Sequence, residues 1–340
     1  MAIRSLIALI VVLAARPIEG PTLVVSVVED ISRRSLANAE VIDLDTGVRW
    51  FTNAAGEARL PWPASARLRL RVRQLGFQPV ERTVERTAID EAADTLTIAL
   101  TRIAYALPEV VTREARRCEN EADSLAKARS LPALEQLRLG AERYEAFRKA
   151  YPFRIQQERR TILLEADGKK RLDRRNNEQA NSDQWGVRYD PNETVIHRPL
   201  GFSVPILFVA TLADSMFWAR HCFAAPGIQL LDSVRVVRLE FAPASGVRGP
   251  EWQGVAFLDS ATSLLRRVEF SLAGLPENDQ PRRFEGYTTF SAPSPYIAIP
   301  DSTVAMWWRD GPRVAPAWGF PDVLQLVHVT QLRYRKGTPP

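Results

Sequence analysis

Two β domains joined by a helix are the architecture this sequence predicts, and three patterns predict it. Arg67–Arg73 alternates strictly, arginine against Leu68, Leu70 and Val72. Arg267–Leu272 does the same, with Val268, Phe270 and Leu272 set against Arg267, Glu269 and Ser271. Successive strand side chains point to opposite faces, so each run reads as a strand with one buried and one wetted face. Between them Leu134, Leu137, Ala141, Tyr144, Phe147 and Tyr151 recur three or four apart, the spacing of one helix face. The expected class is mainly β: an N-terminal seven-strand sandwich, a helical connector, and a C-terminal antiparallel curved sheet or half-barrel.

The whole chain fits that outline. Its 340 residues exceed one ordinary core and suit two domains with a connector. Hydrophobic content of 46% and charged content of 25% are globular values, which excludes wholesale disorder. The 24 prolines outnumber the 17 glycines, favouring many short strands and turns. A formal charge of +5, from 45 basic and 40 acidic residues, is too mixed to call for nucleic acid. Residues 1–20 read as a signal peptide, because Arg4 precedes an apolar run from Leu6 to Ala15 that is too short to span a bilayer in the mature protein. A retained membrane anchor is the alternative. Cys118 and Cys222 are the two cysteines, and export predicts a disulfide between them rather than two buried thiols. Closing a loop of about 100 residues would contribute about 4–5 kcal/mol in the chain-entropy view.

The first domain, residues 21–113, can be followed strand by strand. Leu23–Glu29 is apolar and β-branched, Ala39–Leu44 leads to the turn Asp45-Thr46-Gly47, and Val48–Thr52 returns. The turn Asn53–Gly56, the short strand Glu57–Leu60, the arginine strand, Val80–Val84 and Thr95–Leu100 complete the set. Turn residues at intervals of about 8 to 12 are a sandwich pattern. The connector, residues 114–151, is predicted as an amphipathic helix interrupted near Pro132. The second domain, residues 152–340, returns to strands at Val234–Phe241, Gln253–Leu258, Leu265–Leu272, Thr303–Arg309 and Leu324–Arg335.

The order Leu36-Ala37-Asn38-Ala39-Glu40-Val41, Asp45-Thr46-Gly47, Phe51–Leu60, Leu70–Phe77 and Leu96–Leu100 resembles the carboxypeptidase regulatory-like domain, a transthyretin-like β-sandwich. Ala39–Val41, Thr52–Gly56 and Leu75–Phe77 stand at that family's marker positions, with Glu40 and Asn53 as mild departures. Leu107–Thr112 resembles the exit that joins such modules to outer-membrane receptor plugs. The resemblance implies a non-catalytic accessory module. Arg220–Phe223, Leu239–Pro243 and Trp252–Arg266 resemble, more loosely, a region that follows such modules in exported proteins.

A zinc peptidase needs His-x-x-Glu and a further ligand. The residues three beyond His197, His221 and His328 are Leu200, Ala224 and Gln331, so the pair is absent and no metal or other cofactor is expected. There is no Gly-x-Ser-x-Gly elbow, and no phosphate-cradling loop or dinucleotide fingerprint. His221 beside Cys222 is a poor nucleophile pair, since neighbours on a strand rarely aim at one another. A glycosidase needs only two carboxylates at a short separation, for which Glu240, Glu251, Asp259 and Glu269 are nominal candidates.

Binding features are stronger. Trp307 and Trp308 place adjacent rings on opposite faces of a strand beside Arg309, a candidate surface for a glycan or peptide, with core packing as the plainer reading. Lys169, Lys170, Arg171, Arg174 and Arg175 form a basic run that either caps a solvated hairpin or meets an anionic surface at the outer membrane. The arginines of Arg67–Arg73 read as protection of an edge strand. The sequence therefore predicts an exported, non-catalytic binding or scaffold protein of the cell envelope, periplasmic or outer-membrane associated, engaging a glycan or an envelope protein. The alternatives are an envelope hydrolase using carboxylates of the second domain, and an accessory component of outer-membrane receptor uptake. A complete receptor is excluded, because about 190 residues cannot build a barrel of roughly 22 strands with its plug.

Overall fold

The computed structural model describes residues 22–62, 67–85, 95–104, 122–165, 167–183, 189–198, 201–275, 281–294, 297–308 and 321–335. The predicted signal peptide, Cys118, Leu107–Thr112 and Arg309 lie outside these residues. The chain divides into two compact units, Met1–Arg102 and Ile103–Pro340. Both are mainly β, as the alternating patterns require.

The first unit has seven strands: β1 (Thr22–Glu29), β2 (Glu40–Asp43), β3 (Arg49–Phe51), β4 (Glu57–Pro61), β5 (Arg67–Arg73), β6 (Val80–Glu85) and β7 (Thr95–Leu100). They form two sheets, β4-β1-β7 and β3-β2-β5-β6, with β1 and β7 parallel. Leu23, Val25 and Val27 from one sheet meet Val41, Leu68, Leu70 and Val72 from the other in a single core. Gly47 and Gly56 take positive φ of 74° and 79° in the two expected turns. At Gly56 an added Cβ would also lie 2.8 Å from the Val27 carbonyl oxygen.

The arginine strand is not an edge. β5 lies between β2 and β6, so edge protection is not the role of its arginines. On the outer face Arg71 meets Glu81, Arg69 meets Asp45 at 3.2 Å, and Arg73 meets the buried Glu40. Arg49 reaches the same carboxylate at 3.0 Å. The ladder is cross-strand charge pairing, of which only the Glu40 contacts are shielded from water.

The second unit starts with helix α1 (Ala122–Ala150), which runs on through Pro132 without the expected interruption. Pro132 is on the exposed side, where water can serve the carbonyl that a proline cannot bond. There follow β8 (Phe153–Leu164), β9 (Lys170–Asn181), the small hairpin β10 (Ile196–Arg198) and β11 (Gly201–Ser203), and the short helices α2 (Val209–Leu212) and α3 (Ser215–Arg220). The meander comprises β12 (His221–Leu231), β13 (Val234–Pro243), β14 (Glu251–Asp259), β15 (Leu265–Ala273), β16 (Arg283–Ser294), β17 (Ile297–Trp308) and β18 (Val323–Tyr334). Its sheet is curved and unclosed, in the order β12-β13-β14-β15-β16-β17-β18-β8-β9.

The last strand thus returns to pair with β8, and β9 becomes an edge. The face of β8 bearing Phe153 and Ile155 receives Tyr144 of α1, in a cluster with Ile297 and Ile299. This is the inner face. Among the described residues no helix is long and apolar enough to cross a membrane. Cys222 sits on β12 with no free thiol, and its bridge to Cys118 stands as an expectation from the sequence.

Thr52 gives a clean test of the first core. Its buried hydroxyl accepts from the Ala39 N–H at 2.8 Å and donates to the Leu36 carbonyl at 2.6 Å. Thr52→Val keeps the shape and strands both backbone groups, so urea unfolding is expected to show a loss of about 1–3 kcal/mol. An unchanged midpoint would show that these bonds do not hold the β1–β2 connection.

Candidate functional site

Strand register assembles the site. On the inner face Gly254 of β14 lies opposite Phe270 of β15, Phe270 opposite Gly286 of β16, and Phe284 opposite Trp307 of β17. A Cβ on Gly286 would come within 3.0 Å of the Phe270 ring and 2.1 Å of the Val304 carbonyl oxygen. A Cβ on Gly254 would meet the Phe241 ring at 3.0 Å and the Glu269 carbonyl oxygen at 2.0 Å. Glycine at these two places lets a ring lie down on the sheet.

The rings then form a row across four strands. Trp252 meets Phe270 edge-on at 5.5 Å, Phe270 stacks on Phe284 at 5.9 Å, and Phe284 stacks on Trp307 at 6.3 Å. Trp252, Phe270 and Phe284 are buried, whereas Trp307 is half-buried and ends the row. Above that end lies a pocket of about 180 Å³, the volume of about six waters in the liquid. Phe270, Phe284, Ala305, Trp307 and Val327 line it from the sheet, Ser203–Ile206 from the end of β11 and the segment that follows, and Thr303, Gln325 and Arg159 supply polar groups.

Arg159 is held before any ligand arrives. Its Nε and Nη2 donate to the two Glu178 oxygens at 2.8 and 3.1 Å, and its Nη1 donates to Gln325 Oε1 at 3.0 Å. Gln157 Nε2 donates to Glu178 as well, at 2.9 Å. Burial raises the Glu178 carboxyl, but the Arg159 and Gln157 bonds outweigh it and keep it below the usual carboxylate range. The pair is ionised at neutral pH. Of the five guanidinium N–H groups three are used, leaving two for a ligand oxygen.

Two other spaces are poorer candidates. A void of about 20 Å³ beside Tyr189, Trp252 and Leu207 has room for one water. A pocket of about 260 Å³ around Ala242–Val247, Gly249 and Gly274 is lined by short side chains and Gln253, with no aromatic or ionisable group among its lining residues.

The carboxylates named from sequence all have partners. Glu240 pairs with Arg238 and Glu269 with Arg267, each at 2.9 Å. Buried Glu251 accepts from the Tyr189 hydroxyl at 2.5 Å, Arg220 Nε at 3.2 Å and its neighbour Trp252 N–H at 3.0 Å. His221 stacks on Phe217 at 3.7 Å and places its ring nitrogens 2.8 Å from the Phe217 carbonyl and 3.0 Å from the Trp252 carbonyl. Burial pushes this imidazole below its ordinary value, against the pull of Glu251 and the two carbonyls. The cluster ties α3 and β12 to β14. His328 is on β18, six strands from β12, roughly 29 Å along the sheet. His221 and His328 therefore share no site, and the His197 side chain is outside what is described. Among the described residues no group of metal-ligating side chains occurs.

The sequence candidates separate. Trp307 enters the pocket, while Trp308 is buried on the other face with the Arg283 guanidinium 4.7 Å from its ring centroid. Lys169 pairs with Asp167, and Lys170 shares Asp173 with Arg160. Arg171, Arg174 and Arg175 lie on the exposed edge strand β9. Arg159, Gln325, Thr303, Phe270 and Phe284 are among the pocket residues that the sequence did not mark as binding groups. The usable signal was a glycine inside an alternating strand pattern, which marks close approach to the backbone.

No known family model matches the sequence, and no curated protein matches it. Among solved structures, the chain is similar to a DUF1329 family protein from Desulfovibrio piger, at 10% identity and a TM-score of 0.31, covering 61% of this chain and 95% of that one. It is also similar to a putative outer membrane lipoprotein-sorting protein domain from Vibrio parahaemolyticus, at 15% identity and a TM-score of 0.29, covering 60% and 95%. Both superpose loosely.

Asp259 is a structural carboxylate with a pH signature. It accepts from the Ala261 and Thr262 N–H groups, each at 2.9 Å, and from Arg266. Burial raises its carboxyl, but the Thr262 N–H, Arg266 and the Ala261 N–H together hold it below the usual range. The ionised form is therefore favoured in the fold, and its stabilisation is present above about pH 4 and lost as pH falls through the lowered value. Asp259→Asn is expected to cost about 1–2 kcal/mol near neutral pH, with the gap to wild type closing in acid. A gap that is independent of pH would contradict this role.

Proposed function

We propose that this chain is a non-catalytic binding protein of the cell envelope whose second unit seats one glycan ring. The observation that carries this reading is the half-buried Trp307 ring, opening on a preformed pocket whose polar end holds donors and acceptors together. A sugar has the matching chemistry: an apolar C–H face that stacks on an aromatic ring, and hydroxyls that both donate and accept. Arg159, Gln325 and Thr303 are the groups placed to meet those hydroxyls. A pocket of this volume suits a small ligand rather than a protein segment.

The first unit, on this reading, is a scaffold module of the carboxypeptidase regulatory-like kind. Its three-on-four sandwich supports that assignment. The envelope location rests on the apolar Leu6–Ala15 run behind Arg4. Arg171, Arg174 and Arg175 on the open edge support peripheral contact with an anionic envelope surface.

The test uses the neutral dye N-phenyl-1-naphthylamine and its displacement by octyl β-D-glucoside below the micelle concentration. Wild type is expected to bind both. Trp307→Ala is expected to weaken glucoside binding by about tenfold, and Ala305→Trp, which fills the pocket, to abolish it. Trp308→Phe, altered on the other face, is expected to bind as wild type does. Equal binding by all four proteins would remove the pocket from consideration.

A further inference from the structure

The charge arrangement at the polar end of the pocket bears on which sugars would enter. Among the lining residues Arg159 is the one ionisable side chain. It brings a bidentate carboxylate with it, since Glu178 occupies both of its oxygens on the same guanidinium. Gln157 steadies Glu178 from the same inner face of β8, and Gln325 takes a third N–H. The polar end therefore presents hydrogen-bond donors with no net charge.

We infer that the pocket selects an uncharged sugar over an anionic one, with Glu178 as the specificity-determining residue. An anion entering beside Phe270, Phe284 and Trp307 would lose hydration and meet a guanidinium whose charge is already balanced. A hydroxyl or ring oxygen loses much less water and still gains the two free N–H bonds. Glu178 need not touch the ligand. It acts through Arg159, fixing the orientation of the fork and cancelling its charge.

This inference rests on the glycan reading of the pocket, and its test keeps the two apart. The probes are octyl β-D-glucoside and octyl β-D-glucuronide, which share a tail and a ring and differ in a hydroxymethyl against a carboxylate. Binding is followed by calorimetry at low ionic strength and again at high salt. Wild type is expected to favour the glucoside by about tenfold. Glu178→Gln uncovers the positive charge and is expected to shift the ratio toward the glucuronide by about tenfold, with the gain fading in salt.

Gln325→Glu adds a negative charge to the same guanidinium and is expected to move the ratio the opposite way, whether or not Glu178→Gln folds. Equal binding of both probes by wild type overturns the inference while leaving the pocket intact. So does a ratio unmoved by either substitution. Binding of neither probe by wild type, or binding that survives Ala305→Trp, overturns the pocket itself and the inference with it.

Discussion

Two strand glycines set the character of the second unit. At Gly254 and Gly286 a methyl group would sit about 2 Å from a neighbouring carbonyl oxygen, so the backbone is pinched there and no other residue is accommodated without a shift. The space above each is taken by a phenylalanine ring from the next strand. Because Phe270 lies flat over Gly286, Phe284 can stack beside it, and Trp307 beside that. The binding surface is the unburied end of this core row. Its geometry is inherited from the packing beneath, which costs the ligand little ordering on arrival.

Charge is handled alike in both units. In the first, Glu40 is buried and bound by Arg73 and Arg49, so a carboxylate inside the fold is neutralised by two arginines from flanking strands. In the second, Glu251 is served by Arg220 and Tyr189, and Arg159 by Glu178. Each of these groups is shielded in part and each is paired with an opposite charge. Such pairs contribute little net stability, because desolvation offsets attraction, but removing one member is expensive. They therefore act as positional constraints. At the pocket that constraint becomes a filter on ligand charge.

Much of the fold was legible because its rules are local. Alternation at Leu68, Leu70 and Val72 and at Val268, Phe270 and Leu272 named the buried faces correctly, and the positive-φ glycines Gly47 and Gly56 marked the turns. What escaped was set by pairing across long stretches of chain. Nothing near Arg67–Arg73 says that β2 and β6 will flank it, so a central strand read as an edge. Pro132 is an interruption by propensity, yet an exposed proline in a long packed helix is tolerated. The pocket joins Arg159 of β8 to Gln325 of β18, strands brought together only when the meander returns. Trp307 and Trp308 were visible as a pair, but which ring faced a cavity depended on the sheet's curvature.

The central claim, that the open end of the aromatic row is the binding surface, is tested most directly by fluorine NMR on protein carrying 5-fluorotryptophan at its eight tryptophans. The Trp50, Trp252, Trp307 and Trp308 signals are assigned by single Trp→Phe substitutions at those positions, and octyl β-D-glucoside is titrated in. The Trp307 signal is expected to move most, with a smaller saturable shift at Trp252 and none at Trp50 of the first unit. Saturable shifts confined to Trp50 or Trp308, or a Trp307 signal that stays still while ligand binds, would contradict it.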